Sequence, residues 1–156
     1  MKQIYKTIAT GFGSGYAPLA PGTAGSILAC LLLWGATFLI EDFQRLHLFF
    51  LGIIIIFTFL GVWAAKKLEK DWGKDPSKVV VDEMVGQWIN LLFIPITFQN
   101  IILGLIIFRF FDIVKPLGIR SMESCKNGWG VMLDDILAGI YGNIVLQLIG
   151  SISGMS

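Results

Sequence analysis

Three short stretches hold the residues of this chain that could do chemistry. The first, VVVDEMVGQWIN, runs from Val79 to Asn90 and sets Asp82 and Glu83 side by side at the mouth of apolar sequence. The segment VMLDDILAGIYG repeats the device with Asp134 and Asp135, and FRFFDIVKP places Asp112 between Arg109 and Lys115. Adjacent carboxylates leading into apolar sequence repel one another and lose hydration. A charge at bilayer depth costs ~2.5–3.5 kcal/mol on insertion scales, so such groups usually serve a function. A divalent cation relieves the conflict, and a donor set made only of oxygens favours Mg²⁺, Mn²⁺ or Ca²⁺ over zinc. Asp82, Glu83, Asp112, Asp134 and Asp135 are therefore expected to converge on one metal site.

Each group also has a plainer reading. Asp82 taken alone reads as a helix N-cap, with Glu83 favouring the helix dipole. Arg109 and Lys115 read either as cations flanking a membrane helix or, with Asp112, as a clamp for a phosphate. The glycine-rich stretch GFGSGYAPLAPGTAGS lacks the spacing and the lysine of a Walker loop. It reads as an entry loop, or as a backbone cradle for phosphate with Thr23 or Ser26 at the first helix N-terminus. Gly139 and Gly142 follow Asp135 at i+4 and i+7, a pattern for close helix packing that would bring this segment against Asp82 and Glu83. Glu83, Gln87 and Asn90 form one polar stripe if their segment is helical.

The elements that must position these residues are apolar. Of 156 residues, 55% are hydrophobic and 15% charged, against roughly 45–50% and about 25% in a soluble domain. Mean hydropathy is +0.75. The balance points to a membrane protein of one domain, residues 1–156, and the net charge of +1 gives no electrostatic case for nucleic acid. Apolar runs cover 26–40, 48–65, 84–96, 101–114 and 131–150, and residues 1–25 read as loop. The expectation is an all-α, compact multi-helix membrane bundle of about five apolar helices. A full crossing takes ~20 residues, so the third and fourth runs are short for one. Period-2 alternation is absent, which disfavours a β-barrel.

With five crossings, Lys2, Lys6, the five lysines of 66–78, Lys115, Arg120 and Lys126 fall on one side. That asymmetry places the N-terminus and all five acids on the cytoplasmic side. His47, the single histidine, falls on the other side, which argues against histidine-based catalysis. Cys30 lies in an apolar run and Cys125 in a loop, so both are expected as free thiols.

Four stretches, GSGYAPLAPGTAGS, VVVDEMVGQW, FRFFDIVKPLGIR and NGWGVMLDDILAG, resemble the motifs of bacterial phosphatidylglycerophosphatase A in the family's order. They reach from Gly13 to Gly139. Asn127-Gly128-Trp129-Gly130 departs slightly from the family pattern, which often has a Gly-Gly there. The resemblance implies an all-helical fold in the bacterial inner membrane. It also implies Mg²⁺-dependent removal of the terminal phosphate from phosphatidylglycerophosphate, giving phosphatidylglycerol.

On this reading Asp82, Glu83, Asp112, Asp134 and Asp135 are the catalytic and metal-binding residues. Thr23, Ser26, Arg109 and Lys115 bind the phosphate of a substrate whose acyl chains stay in the bilayer. Two rivals are weighed. A CDP-alcohol phosphotransferase also clusters aspartates, but its long signature is absent here. A small multi-pass cation carrier would use the acidic cluster for transit, although transport sites tend to lie near the bilayer midplane and these acids fall at segment ends.

Overall fold

The computed structural model describes residues 2–73 and 76–153, all helices and connections, with no strand among them. Lys2–Ala9 form α1, Pro21–Thr37 α2, Phe43–Trp72 α3 and Val81–Asn90 α4. Phe98–Val114 form α5, Ile119–Met122 the single turn α6, and Trp129–Ser153 α7. A 3-10 turn, Ser14–Tyr16, lies in the glycine-rich stretch.

Local chemistry sets the boundaries. Pro21 opens α2, where a missing N–H costs nothing. The Asp42 carboxylate accepts from the Arg45 amide at 2.7 Å and starts α3, and Gly73, at φ 91°, ends it. The Thr97 hydroxyl accepts from Asn100 N at 3.2 Å and caps α5. At the other end of α5, Lys115 turns left-handed (φ 50°, ψ 51°) and Pro116 forbids continuation.

Among the described residues, two helices are long and apolar enough to cross a membrane, Phe43–Trp72 and Trp129–Ile152. Only 28% of the apolar window of each is buried, so each turns most of its apolar surface outward. The count expected from hydropathy is thus refined. Helices α2 and α5 have 17 residues each, about 25 Å at 1.5 Å per residue. The third run is no crossing: α4 has 10 residues, stops at Asn90 and is nearly all buried. Residues 1–25 are not all loop either, since Lys2–Ala9 are helical.

Around α4 the other helices are arranged. Gly86 of α4 meets α7 and α5 so closely that a Cβ there would lie 2.6 Å from both the Asp135 carbonyl and the Phe108 ring. A Cβ on Gly139 would strike the Gly86 backbone. The expected glycine contact between these segments is therefore present, backbone against backbone. Trp88 Nε1 donates to the Ala29 carbonyl of α2 at 2.9 Å. Asn90 Nδ2 donates to the Gly104 carbonyl of α5 at 2.8 Å. Asn143 of α7 satisfies the Asn90 and Leu92 carbonyls at 3.0 and 2.7 Å, so the buried C-terminal end of α4 keeps its hydrogen bonds.

This packing gives the bundle two chemically different ends. At the C-terminal end of α4, His47 is buried and its Nδ1 accepts from Phe93 N at 3.1 Å. At the N-terminal end lie the acids. The basic residues gather there as well: Lys2 pairs with Asp71 at 3.0 Å, and Lys6 stands 5.8 Å from the Trp72 ring centroid, beside the C-terminal end of α3.

Candidate active site

The first turn of α4 carries Asp82 and Glu83. Val80, not Asp82, is the N-cap, and no side chain caps the helix. The Asp82 carboxylate instead accepts from the Glu83 amide at 3.0 Å, leaving it at the helix mouth with its negative charge on the positive end of the dipole. Val80 N, bonded to the Ala9 carbonyl at 2.8 Å, anchors the approach to this turn.

From α7 come Asp134 and Asp135, in the second turn of that helix. The Gly86–Gly139 contact is what draws Asp135 against α4. Single carboxylate oxygens of Asp82, Glu83 and Asp135 lie within 4.8 Å of one another, a group that could hold a metal ion. The last turn of α5 adds Asp112, paired with Arg109 of the same helix. Asp82, Glu83, Asp112, Asp134 and Asp135 all line one cavity of about 240 Å³, together with Lys115 and Ser77. The packing thus brings all five sequence-selected acids to one cavity.

Lys115, at the left-handed end of α5, lines the same cavity as Asp112, and its ammonium donates to Asp134 at 2.6 Å and to Glu123 at 2.7 Å. Burial alone would lower its pKa, but these two carboxylates outweigh burial and raise it. Glu123 had no signal in sequence, because nothing in the loop before α7 marks it as a partner of α5.

The N-terminus of α2 closes the site from another side. A Cβ on Gly22 would collide with the Glu83 carboxylate and come within 3.0 Å of Arg109 Nη1. A side chain there would have to push the Glu83 carboxylate and the Arg109 guanidinium aside, so this position, unremarked among so many glycines, belongs to the site's wall. Thr23 follows it in the first turn of α2. Ser26 is fully buried, and its hydroxyl donates back to the Gly22 carbonyl at 3.0 Å, so it braces the turn from within the helix.

The electrostatics are those of negative charge held together with too little to balance it. Burial pushes the Asp82 carboxyl well up, and the charges of Glu83, Asp135 and Asp134 push it further. Burial also raises Glu83; an interaction with Asp82 draws it partly back, and the Asp112 charge adds to the rise. Glu83 Oε2 and Asp135 Oδ1 are buried with no hydrogen-bond partner among the described residues. Orphaned, crowded carboxylate oxygens are what a hard divalent cation satisfies.

The family described as Phosphatidylglycerophosphatase A matches residues 7–150. This chain belongs to the phosphatidylglycerophosphatase A family. The match takes in all of the acids of the cavity and the Gly22 turn. A protein of Bacteroides thetaiotaomicron named "Putative phosphatidylinositol-3-phosphatase" is 51% identical over 144 residues, 90% of each chain. The Phosphatidylglycerophosphatase A of Escherichia coli K12 is 37% identical over 96% of this chain and 86% of its own. That of Haemophilus influenzae is 40% identical over 89% and 84% respectively. No solved structure matches the chain.

Proposed function

We propose that this protein hydrolyses the terminal phosphomonoester of phosphatidylglycerophosphate, releasing phosphate and phosphatidylglycerol in phospholipid biosynthesis. The observation that carries the reading is the cavity itself. Five carboxylates from three helices, two of them with orphaned buried oxygens, converge at one end of an apolar bundle in a chain of this family. Asp82, Glu83 and Asp135 would hold Mg²⁺, with Asp112 and Asp134 at its margin. When bound, the ion supplies Lewis acidity, drawing negative charge off the phosphoryl oxygens as the ester bond breaks.

The chain's own residues do the rest. Arg109, beside Gly22, faces the phosphate with a guanidinium, while the bare Gly22 backbone and the Thr23 amide let an anion approach the start of α2. Asp112 orients Arg109. Lys115 holds Asp134 in place and offsets the charge of the cluster. Glu83, whose carboxyl burial keeps basic, takes the proton of the attacking water. The basic end of the bundle faces the cytoplasm by the positive-inside rule, so the site opens on the cytoplasmic face of the inner membrane.

Phosphate release from phosphatidylglycerophosphate by protein purified in mild detergent tests this. Release that stops with EDTA and returns with Mg²⁺ supports it. The Bacteroides relative's name motivates a second substrate, phosphatidylinositol 3-phosphate, run in parallel. A higher kcat/KM there reassigns the lipid and keeps the site. Cation flux into proteoliposomes without phosphate release from either lipid would establish the carrier instead.

A further inference from the structure

A second cavity adjoins the acid-lined one. It encloses about 490 Å³ between the glycine-rich turn and the segment before α4, and Tyr16, Leu19, Pro21 and Lys78 are among its walls. Ser77 lines both cavities. They also meet at the start of α2, where Pro21 faces the second and its neighbour Gly22 abuts Glu83 and Arg109. The second cavity is held in place by close packing. Gly15 lies so near the Lys78 carbonyl that a Cβ on it would overlap that oxygen, so Lys78 is stationed at one spot beside Ser77.

The chemistry along this path is ordered. Carboxylates fill the first cavity. Next comes Lys78, exposed and in no ion pair among the described residues. Beside it Leu19, 96% exposed, and Tyr16 present apolar surface. A solvated lysine needs no explanation alone. Here it lines, together with the apolar Leu19 and Tyr16, a cavity that shares Ser77 with the phosphomonoester-sized acid site. A glycerophospholipid with a terminal phosphate has the same order: phosphomonoester, glycerol, anionic phosphodiester, acyl chains.

We propose that Lys78 binds the phosphodiester of the lipid substrate, with Leu19 and Tyr16 set in the apolar layer where the acyl chains begin. The second cavity then selects lipids that carry two phosphates over those that carry only a phosphomonoester. This rests on the lipid-phosphatase reading of the acid site.

The test uses Lys78→Gln and Lys78→Arg in mixed detergent–lipid micelles. With phosphatidylglycerophosphate, Lys78→Gln should raise KM about tenfold, the scale of one lost charge-assisted hydrogen bond, with kcat little changed and Lys78→Arg near wild type. Phosphatidylglycerol, which keeps only the phosphodiester, should inhibit wild type and Lys78→Arg several-fold more strongly than Lys78→Gln. Phosphatidic acid, which has a phosphomonoester and no diester, should be handled alike by all three. Unchanged KM and inhibition in Lys78→Gln, or an equal loss on phosphatidic acid, overturns the subsite while leaving the acid site intact. Wild type inactive on every lipid phosphate overturns the acid-site reading and the subsite with it.

Discussion

Among the described residues, helices α3 and α7 are the two long and apolar enough to cross a membrane, and the same fraction of each apolar window is buried. They differ in what the buried part does. Helix α3 is the more hydropathic, 2.6 against 1.4, and turns Leu48, Phe49, Ile55, Ile56 and Phe59 outward. Its Gly52 has nothing near the place of a Cβ. Helix α7 sets Gly139 and Gly142 against the backbone of Gly86 and the side chain of Asn90, and so carries Asp134 and Asp135 into the centre. Hydropathy and length make both candidate spans. The placement of small residues decides which one reaches the chemistry, because backbones can approach only where no side chain intervenes.

The largest effect expected from that contrast is on activity. Asp135→Asn or Asp82→Asn should lower phosphate release by about 10²–10³-fold, the size of losing one preorganised electrostatic group. Thr58→Val on α3, which removes only a hydroxyl bonded to the Ile54 carbonyl, should leave turnover near wild type. Near-normal turnover in both aspartate variants would sink the metal site.

Stability sharpens the comparison next. Gly139→Ala must force α7 from α4 and should cost about 1–3 kcal/mol by overpacking. Gly52→Ala has open space and a better helix former, and should gain ~0.5–1 kcal/mol. Thermal unfolding of both in one detergent reads the pair; equal shifts would mean the α4–α7 contact is not tight.

The acids at α4 give a pH signature of their own. Burial, then the charges of neighbouring acids, hold Asp82 above its ordinary range, and Glu83 is raised as well. A carboxyl with a raised folded pKa contributes its stability fully below the unfolded value and loses it as pH rises through the folded value. Metal-free protein should therefore lose thermal stability as pH climbs from about 4. Mg²⁺ competes with protons for the same oxygens, so it should raise Tm more at pH 8 than at pH 5. An equal rise at both would detach these carboxylates from the ion. Smallest of all, Ile56→Ala on the outer face of α3 should change stability by no more than about 0.5 kcal/mol.

Several features were legible because they are local. An acid pair at the mouth of an apolar run, a proline after Lys115 and glycines at i+4 and i+7 each announce themselves within a few residues. So did the separation of His47 from the acids, since the two fall at opposite ends of α4. Less legible were Glu123, Gly22 and the turning of Lys115. Each depends on a neighbour distant in the chain or on a backbone angle that no side-chain pattern encodes. The hydropathic run 84–96 left a tilted crossing, a partial dip and a buried helix all open, because burial on all sides and membrane burial call for the same apolar residues.

By itself, then, the sequence determined that this chain is helical and apolar, with paired acids crowded at the ends of its segments, since propensity, hydropathy and like-charge repulsion act over short spacings. Only the tertiary structure decided that α4 is a buried hub and not a span. It also decided that Asp82, Glu83 and Asp135 are the acids that meet most closely, and that Lys115 serves Asp134 and Glu123. Those outcomes depend on which backbones can touch, and Gly86 and Gly139 settle that only once their helices cross.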